Sequence, residues 1–139
     1  MNCTFLGAQP NHVVHDWMRR ANVLAVPSVR AKSGDSEGLP TVIFEAFALG
    51  LPVVGFASAG IPEAASASCG RLSKEGDVEE LSHQLNLIRR DALLRESLSE
   101  GARRSAVQNF DLRKQTEKLE RFYDQVAARE CAFSLAGSP

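Results

Sequence analysis

Two carboxylates and one hydroxyl stand out in the stretch Ser36-Glu37-Gly38-Leu39-Pro40-Thr41-Val42-Ile43-Phe44-Glu45-Ala46. From Leu39 to Leu49 the polar side chains are Thr41 and Glu45, four apart and therefore on one stripe if the segment is helical. The remaining side chains, Val42, Ile43, Phe44, Phe47 and Leu49 among them, predict an interior helix. A carboxylate on such a helix needs a partner or a wet cleft. Glu37 stands just before the helix start, where unpaired backbone N–H groups and the positive dipole end can seat a phosphate. Carboxylates accept from sugar hydroxyls, so two of them flanking an anion seat suit a phosphorylated sugar. A plainer reading stands beside this one: Glu45 and Thr41 form a narrow solvent stripe, and Glu37 is a loop acid that favours the helix dipole.

The elements that must position these residues follow from the apolar patterning. Short apolar runs alternate with helical segments, which predicts a parallel sheet with crossover helices. The expected strands are Cys3–Leu6, Asn22–Val26, Pro52–Phe56 and a short last one at Gly70–Leu72. Helices are expected over Pro10–Arg20, with Val13, Val14, Trp17 and Met18 on one side, and over Leu39–Leu49. Pro40 suits a first helical turn and Gly50 a left-handed stop. From Asp77 on the pattern is helical only. Asp77, Asp91 and Asp111 each stand where an N-cap is needed, ahead of three amphipathic helices. The tail 131–139 shows no pattern and is expected to fray.

The chain has 139 residues, 44% hydrophobic and 24% charged, the proportions of one folded domain. Sixteen basic residues against seventeen acidic ones give a net charge of −1, no global field for nucleic acid or an anionic membrane. The longest uncharged stretch, Ala46–Pro62, is broken by Gly50, Pro52, Gly55 and Gly60, so no transmembrane segment is expected. Three cysteines lie far apart with no metal-ligand spacing, and no basic region followed by an apolar run opens the chain. These features predict a reduced, cytoplasmic protein without a structural metal. His12, His15 and Asp16 share a helix without a third ligand at matching spacing, and solvated positions are the simpler reading. His83 and the pairs Arg19-Arg20, Arg89-Arg90 and Arg103-Arg104 also read as solvated. Cys69 reads as a small core filler and Trp17 as core.

Taken in order, Val26-Pro27-Ser28, Glu37-Gly38-Leu39-Pro40, Glu45-Ala46, Gly50-Leu51-Pro52-Val53-Val54, Gly60-Ile61-Pro62-Glu63 and Gly70 resemble one known domain. It is the C-terminal, donor-binding domain of family-4 (group 1) retaining glycosyltransferases of GT-B fold. The longer loop from Ser28 to Gly38 is most similar to members that build bacterial exopolysaccharides. The resemblance runs from about Phe5 to Phe110 and implies a partial Rossmann-like domain over 1–130, the C-terminal half of a GT-B domain followed by helices. It implies a nucleotide-sugar donor, with Glu37 near the anomeric centre as the catalytic residue and Glu45 on the ribose hydroxyls. Backbone N–H groups of Gly38, Leu39 and Thr41 would face the diphosphate, and no metal or cofactor would be required. Ser28 is either near the donor or merely a strand-end turn.

The same resemblance exposes departures. The Arg and Lys that clamp the diphosphate in relatives belong to upstream units that this chain does not contain. An acceptor domain, for a sugar or lipid-linked acceptor, is not represented either. Ala59 replaces a common Gly, and Asn22 a common Asp. The implied parent works in the cytoplasm, peripherally at the inner membrane face. Alternatives from other classes are a non-catalytic nucleotide-binding remnant and a related sugar-nucleotide epimerase. With strand order 3-2-1-4-5-6, Cys3–Leu6 would lack its neighbours and Asn22–Val26 would have an open edge. Weak donor turnover and self-association, or pairing of the first run against the second, are therefore expected.

Overall fold

The computed structural model describes residues 3–31, 33–34 and 38–136, with backbone alone from 129 on. Two compact units divide the chain, residues 1–106 and 107–139. The first holds a three-stranded parallel sheet in the order β1-β2-β3, formed by Leu24–Val26, Val53–Phe56 and Gly70–Ser73. Leu24 pairs with Val53 and Val26 with Gly55, and Val53 in turn pairs with Gly70 and Phe56 with Ser73. Strand β2 is buried at every position, as a central parallel strand requires. Helices α1 (Asn11–Arg20), α2 (Val42–Ala48) and α3 (Ile61–Ala64) precede or link the strands, and α4 (Val78–Arg90) and α5 (Ala92–Asn109) follow them.

The α/β class and the run of parallel strands match the sequence expectation. Four local readings are corrected. Cys3–Leu6 is not a strand: a strand exists only where another extended segment pairs with its N–H and C=O groups, and no described segment does, the Leu6 carbonyl accepting instead from the Gln9 side-chain amide. Phe5 is left 95% exposed, and no pairing of this run with β1 occurs. Strand β1 is an apolar run without polar alternation, which predicts burial on both faces, yet Ala25 is exposed; its place at the sheet edge is the open edge expected of Asn22–Val26. Trp17 is not core. The residue α1 buries is Met18, one turn on from half-buried Val14, while Trp17 lies outside that stripe with the Arg20 guanidinium 5.0 Å from its ring centroid. Finally, α2 is shorter than Leu39–Leu49, and Leu49 is partly exposed.

The core is built as the spacing predicts. Val54 and Phe56 of β2 meet Leu81, Ile88 and Leu98, with Val23, Leu85 and Leu94 packed around them. Ile43, Phe47 and Ile61 are also fully buried, and Cys69 is buried beside Gly70. The Asp77 and Asp91 carboxylates accept from the N–H groups of Glu80 and Leu94, capping α4 and α5.

In the second unit Asp111 caps α6 (Leu112–Ala136) by accepting from Lys114 N–H. The helix continues past Cys131, where the sequence suggested a fraying tail; residues 137–139 lie outside the described ones. Leu112, Leu119, Phe122 and Tyr123 recur at helical spacing, yet all are exposed.

Candidate functional site

The carboxyl ends of β1 and β2, Val26 and Phe56, point their following loops to one edge of the sheet, the edge where open α/β sheets take ligands. The β1–α2 loop leaves through Pro27 and half-buried Ser28 and returns through Gly38, Leu39 and Pro40. Gly60 N–H donates to the Gly38 carbonyl at 2.7 Å, tying the end of this loop to the β2–α3 turn. A Cβ on Gly60 would stand 2.9 Å from that oxygen and 3.2 Å from Leu39 Cβ, so glycine is required by close approach. Ala59 beside it holds φ at +47°, a left-handed conformation that explains why glycine is common there. Ala59→Gly is expected to raise stability by about 0.5–1 kcal/mol, relieved strain of about 1–2 outweighing glycine's extra entropy. Thermal unfolding checks it, and an unchanged or lower midpoint would contradict the assigned strain.

The start of α2 is tight. Ile43 N–H donates to Pro40 O and Phe44 N–H to Thr41 O, and Thr41 offers no side-chain cap. Gly38 and Thr41 are exposed and Leu39 is half-buried. Glu37 lies outside the described residues. Glu45 sits one turn beyond Thr41, as the stripe predicts, and is half-exposed rather than buried.

Glu45 has a partner the sequence reading set aside. His15 Nε2 of α1 lies 2.9 Å from Glu45 Oε2, so His15 is not a plain solvated residue. The two side chains line a niche of about 190 Å³ with Ala48 and Leu49. Whole-ligand pockets run to about 300–1,000 Å³, so this niche suits one ring of a larger molecule. The available signal was the carboxylate itself: on an apolar helix it demanded a partner, and a histidine is one of the few side chains that can answer from α1.

A second missed residue is Glu75, in the turn after β3. Its Oε1 accepts from Arg30 N–H at 2.6 Å and its Oε2 from Ser58 Oγ at 2.9 Å. The Arg30 backbone bond first, then the Ser58 hydroxyl and the Arg30 charge, hold its carboxyl below the usual carboxylate range. With the folded value depressed, the stability it contributes is present above the ordinary range and lost as pH falls through the lowered value.

The sequence matches the family described as Glycosyl transferases group 1 over residues 1–105. The chain belongs to that family. This group 1 glycosyl transferase chain is 37% identical over 109 residues to a putative colanic acid biosynthesis glycosyltransferase, WcaL, of Salmonella typhimurium. The match covers 76% of the chain and 26% of that protein. It is also 37% identical over 78 residues to the amylovoran biosynthesis glycosyltransferase AmsK of Erwinia amylovora, across 55% of the chain and 19% of that protein. In fold it is similar to sucrose-phosphate synthase from Thermosynechococcus elongatus, with a TM-score of 0.72 and 23% identity. That likeness covers 91% of the chain and 30% of the synthase. The chain thus spans about a quarter of the length of the curated relatives it matches. The GT-B type of fold expected from the motifs is the observed one. No helix among the described residues is long and apolar enough to cross a membrane.

Proposed function

We propose that this chain is the donor-binding part of a retaining glycosyltransferase that takes a nucleotide-sugar in the synthesis of a bacterial polysaccharide or glycoconjugate. The observation that carries the reading is the convergence of the Gly38–Thr41 turn and the β2–α3 turn at the carboxyl edge of the parallel sheet, inside a chain of this family. In this reading the ribose of the donor enters the niche at Glu45 and displaces or shares the His15 contact. Backbone N–H groups of Gly38, Leu39 and Thr41 face the diphosphate, and Ser28 borders the sugar. Pro40 has no N–H to give.

The bond that breaks joins the anomeric carbon to the diphosphate oxygen, and the bond that forms joins that carbon to an acceptor hydroxyl oxygen, whose proton passes to the leaving nucleoside diphosphate. Positive charge grows on the sugar ring and negative charge on the leaving nucleoside diphosphate. Glu37 stabilises the first and the backbone donors the second, so protein groups and no metal ion neutralise the leaving group. The acceptor, a sugar or a lipid-linked sugar, is bound by another domain. The reaction takes place in the cytoplasm, peripherally at the inner membrane face.

Glu45→Ala tests the ribose assignment, because a contact made in ground state and transition state alike changes binding rather than the chemical step. Affinity for the nucleoside diphosphate, read by calorimetric titration, is expected to fall about tenfold, about 1.4 kcal/mol. The half-exposed position predicts little change in folding. An affinity within about twofold of the wild-type value would remove Glu45 from the site.

A further inference from the structure

Glu75 belongs to none of the motifs that place the chain in its family, yet each of its two oxygens holds a different loop. One oxygen takes the Arg30 N–H, four positions beyond the end of β1. The other takes the hydroxyl of Ser58, which is 5% exposed and sits in the turn after β2. Two residues on, Gly60 N–H holds the Gly38 carbonyl at the far end of the β1–α2 loop. The segment from Ser28 to Pro40 has no helix or strand among its described residues. Arg30 is held to the rest of the domain through Glu75 and Gly38 through Gly60, while Pro40 O accepts from Ile43 N–H at the start of α2. Both anchors converge on the same turn, Ala57–Gly60.

We propose that Glu75 is a positioning residue of the donor site: it pins the β1–α2 loop to the β2–α3 turn and so sets where Gly38, Leu39 and Thr41 stand at the carboxyl edge. The assignment of a donor to that edge rests on the function proposed above. A carboxylate is suited to the task because both of its oxygens accept without reorientation, whereas an amide offers one acceptor and turns a donor on the other partner. Bonds to an ionised acceptor are also roughly twice as strong as neutral ones. The Arg30 charge favours the ionised form.

The test is amide hydrogen exchange and chemical shift by NMR on the 139-residue chain, as wild type, Glu75→Gln and Ser58→Ala, alone and with a nucleoside diphosphate. In Glu75→Gln, exchange at Arg30 is expected to rise about tenfold or more, with shifts at Gly38, Leu39 and Thr41 and unchanged amides in β2. Ser58→Ala, which leaves the Arg30 bond intact, is expected to loosen the same amides less. The wild-type Arg30 amide should titrate below the usual glutamate range, and Glu75→Gln should abolish that titration, which a general loss of stability would not do. Nucleoside diphosphate affinity should fall about tenfold in Glu75→Gln.

Equal exchange at Arg30 and at Gly60, whose N–H holds the Gly38 carbonyl, in wild type and Glu75→Gln would overturn the proposal. So would nucleoside diphosphate affinities within about twofold of each other, even with Arg30 loosened. If wild type binds no nucleoside diphosphate while Glu75→Gln still loosens Gly38 to Thr41, the pin stands and the donor reading of this edge is what fails.

Discussion

Gly101→Ala is expected to destabilise the first unit by about 3 kcal/mol or more, or to prevent its folding. The same change in an exposed helix interior gains about 0.5–1 kcal/mol, because alanine is the better helix former. Here the sign reverses. Gly101 is buried in α5 against the turn that precedes β3, and a Cβ would overlap the Ser68 carbonyl oxygen and stand 2.7 Å from its carbon. Those are backbone atoms, so no side-chain rotation can relieve the overlap. Either α5 moves outward and takes its own buried Leu98 and Ala102 with it, or the Ser68–Cys69 turn is pushed toward β3. Denaturant unfolding measures the effect as a fall in midpoint at constant slope. A midpoint equal to the wild type would show that α5 does not pack on this turn.

Glu37→Gln is expected to reduce kcat by about 10²–10³ while leaving nucleoside diphosphate affinity within about twofold. The motivation is the resemblance of Glu37-Gly38-Leu39-Pro40 to the donor-site turn of the family, together with the anchoring of Gly38 at the carboxyl edge. Charge that develops at the anomeric centre exists only in the transition state, so its stabiliser affects the rate and not ground-state binding. Steady-state kinetics with a nucleotide-sugar donor, in a polypeptide that turns it over, is the measurement. A kcat unchanged by the substitution would place the charge stabiliser elsewhere. Contrasted with Glu45→Ala, which is expected to act on affinity, the pair separates the two carboxylates by role.

The two glutamates illustrate what local pattern can and cannot reveal. The four-residue interval between Thr41 and Glu45 on an apolar helix was enough to place Glu45 at the boundary of the core, and the structure leaves it half-exposed there. Its partner His15 reads as solvated, because α1 alone offers no third ligand at a matching spacing. Thirty residues separate the two, and only the packing of α1 beside α2 makes them meet at 2.9 Å. Glu75 and Ser58 were invisible for the same reason. A glutamate in a turn before an N-capping aspartate is an ordinary surface residue until the chain folds and two loops deliver their donors to it.

Periodicity and capping chemistry are properties of neighbours in sequence. Accordingly the sequence by itself determined the α/β class, the helices α1, α2 and α4 to α6 but for their exact limits, the caps at Asp77, Asp91 and Asp111, and the burial of Ile43 and Phe47. Strand pairing and side-chain burial depend on what lies across from a residue. Only the tertiary structure therefore decided that Cys3–Leu6 forms no strand, that Ala25 of β1 is exposed, and that Trp17 faces outward. The same dependence made a histidine and a turn glutamate part of the candidate site: hydrogen bonds between distant segments exist only once the hydrophobic core has brought those segments together.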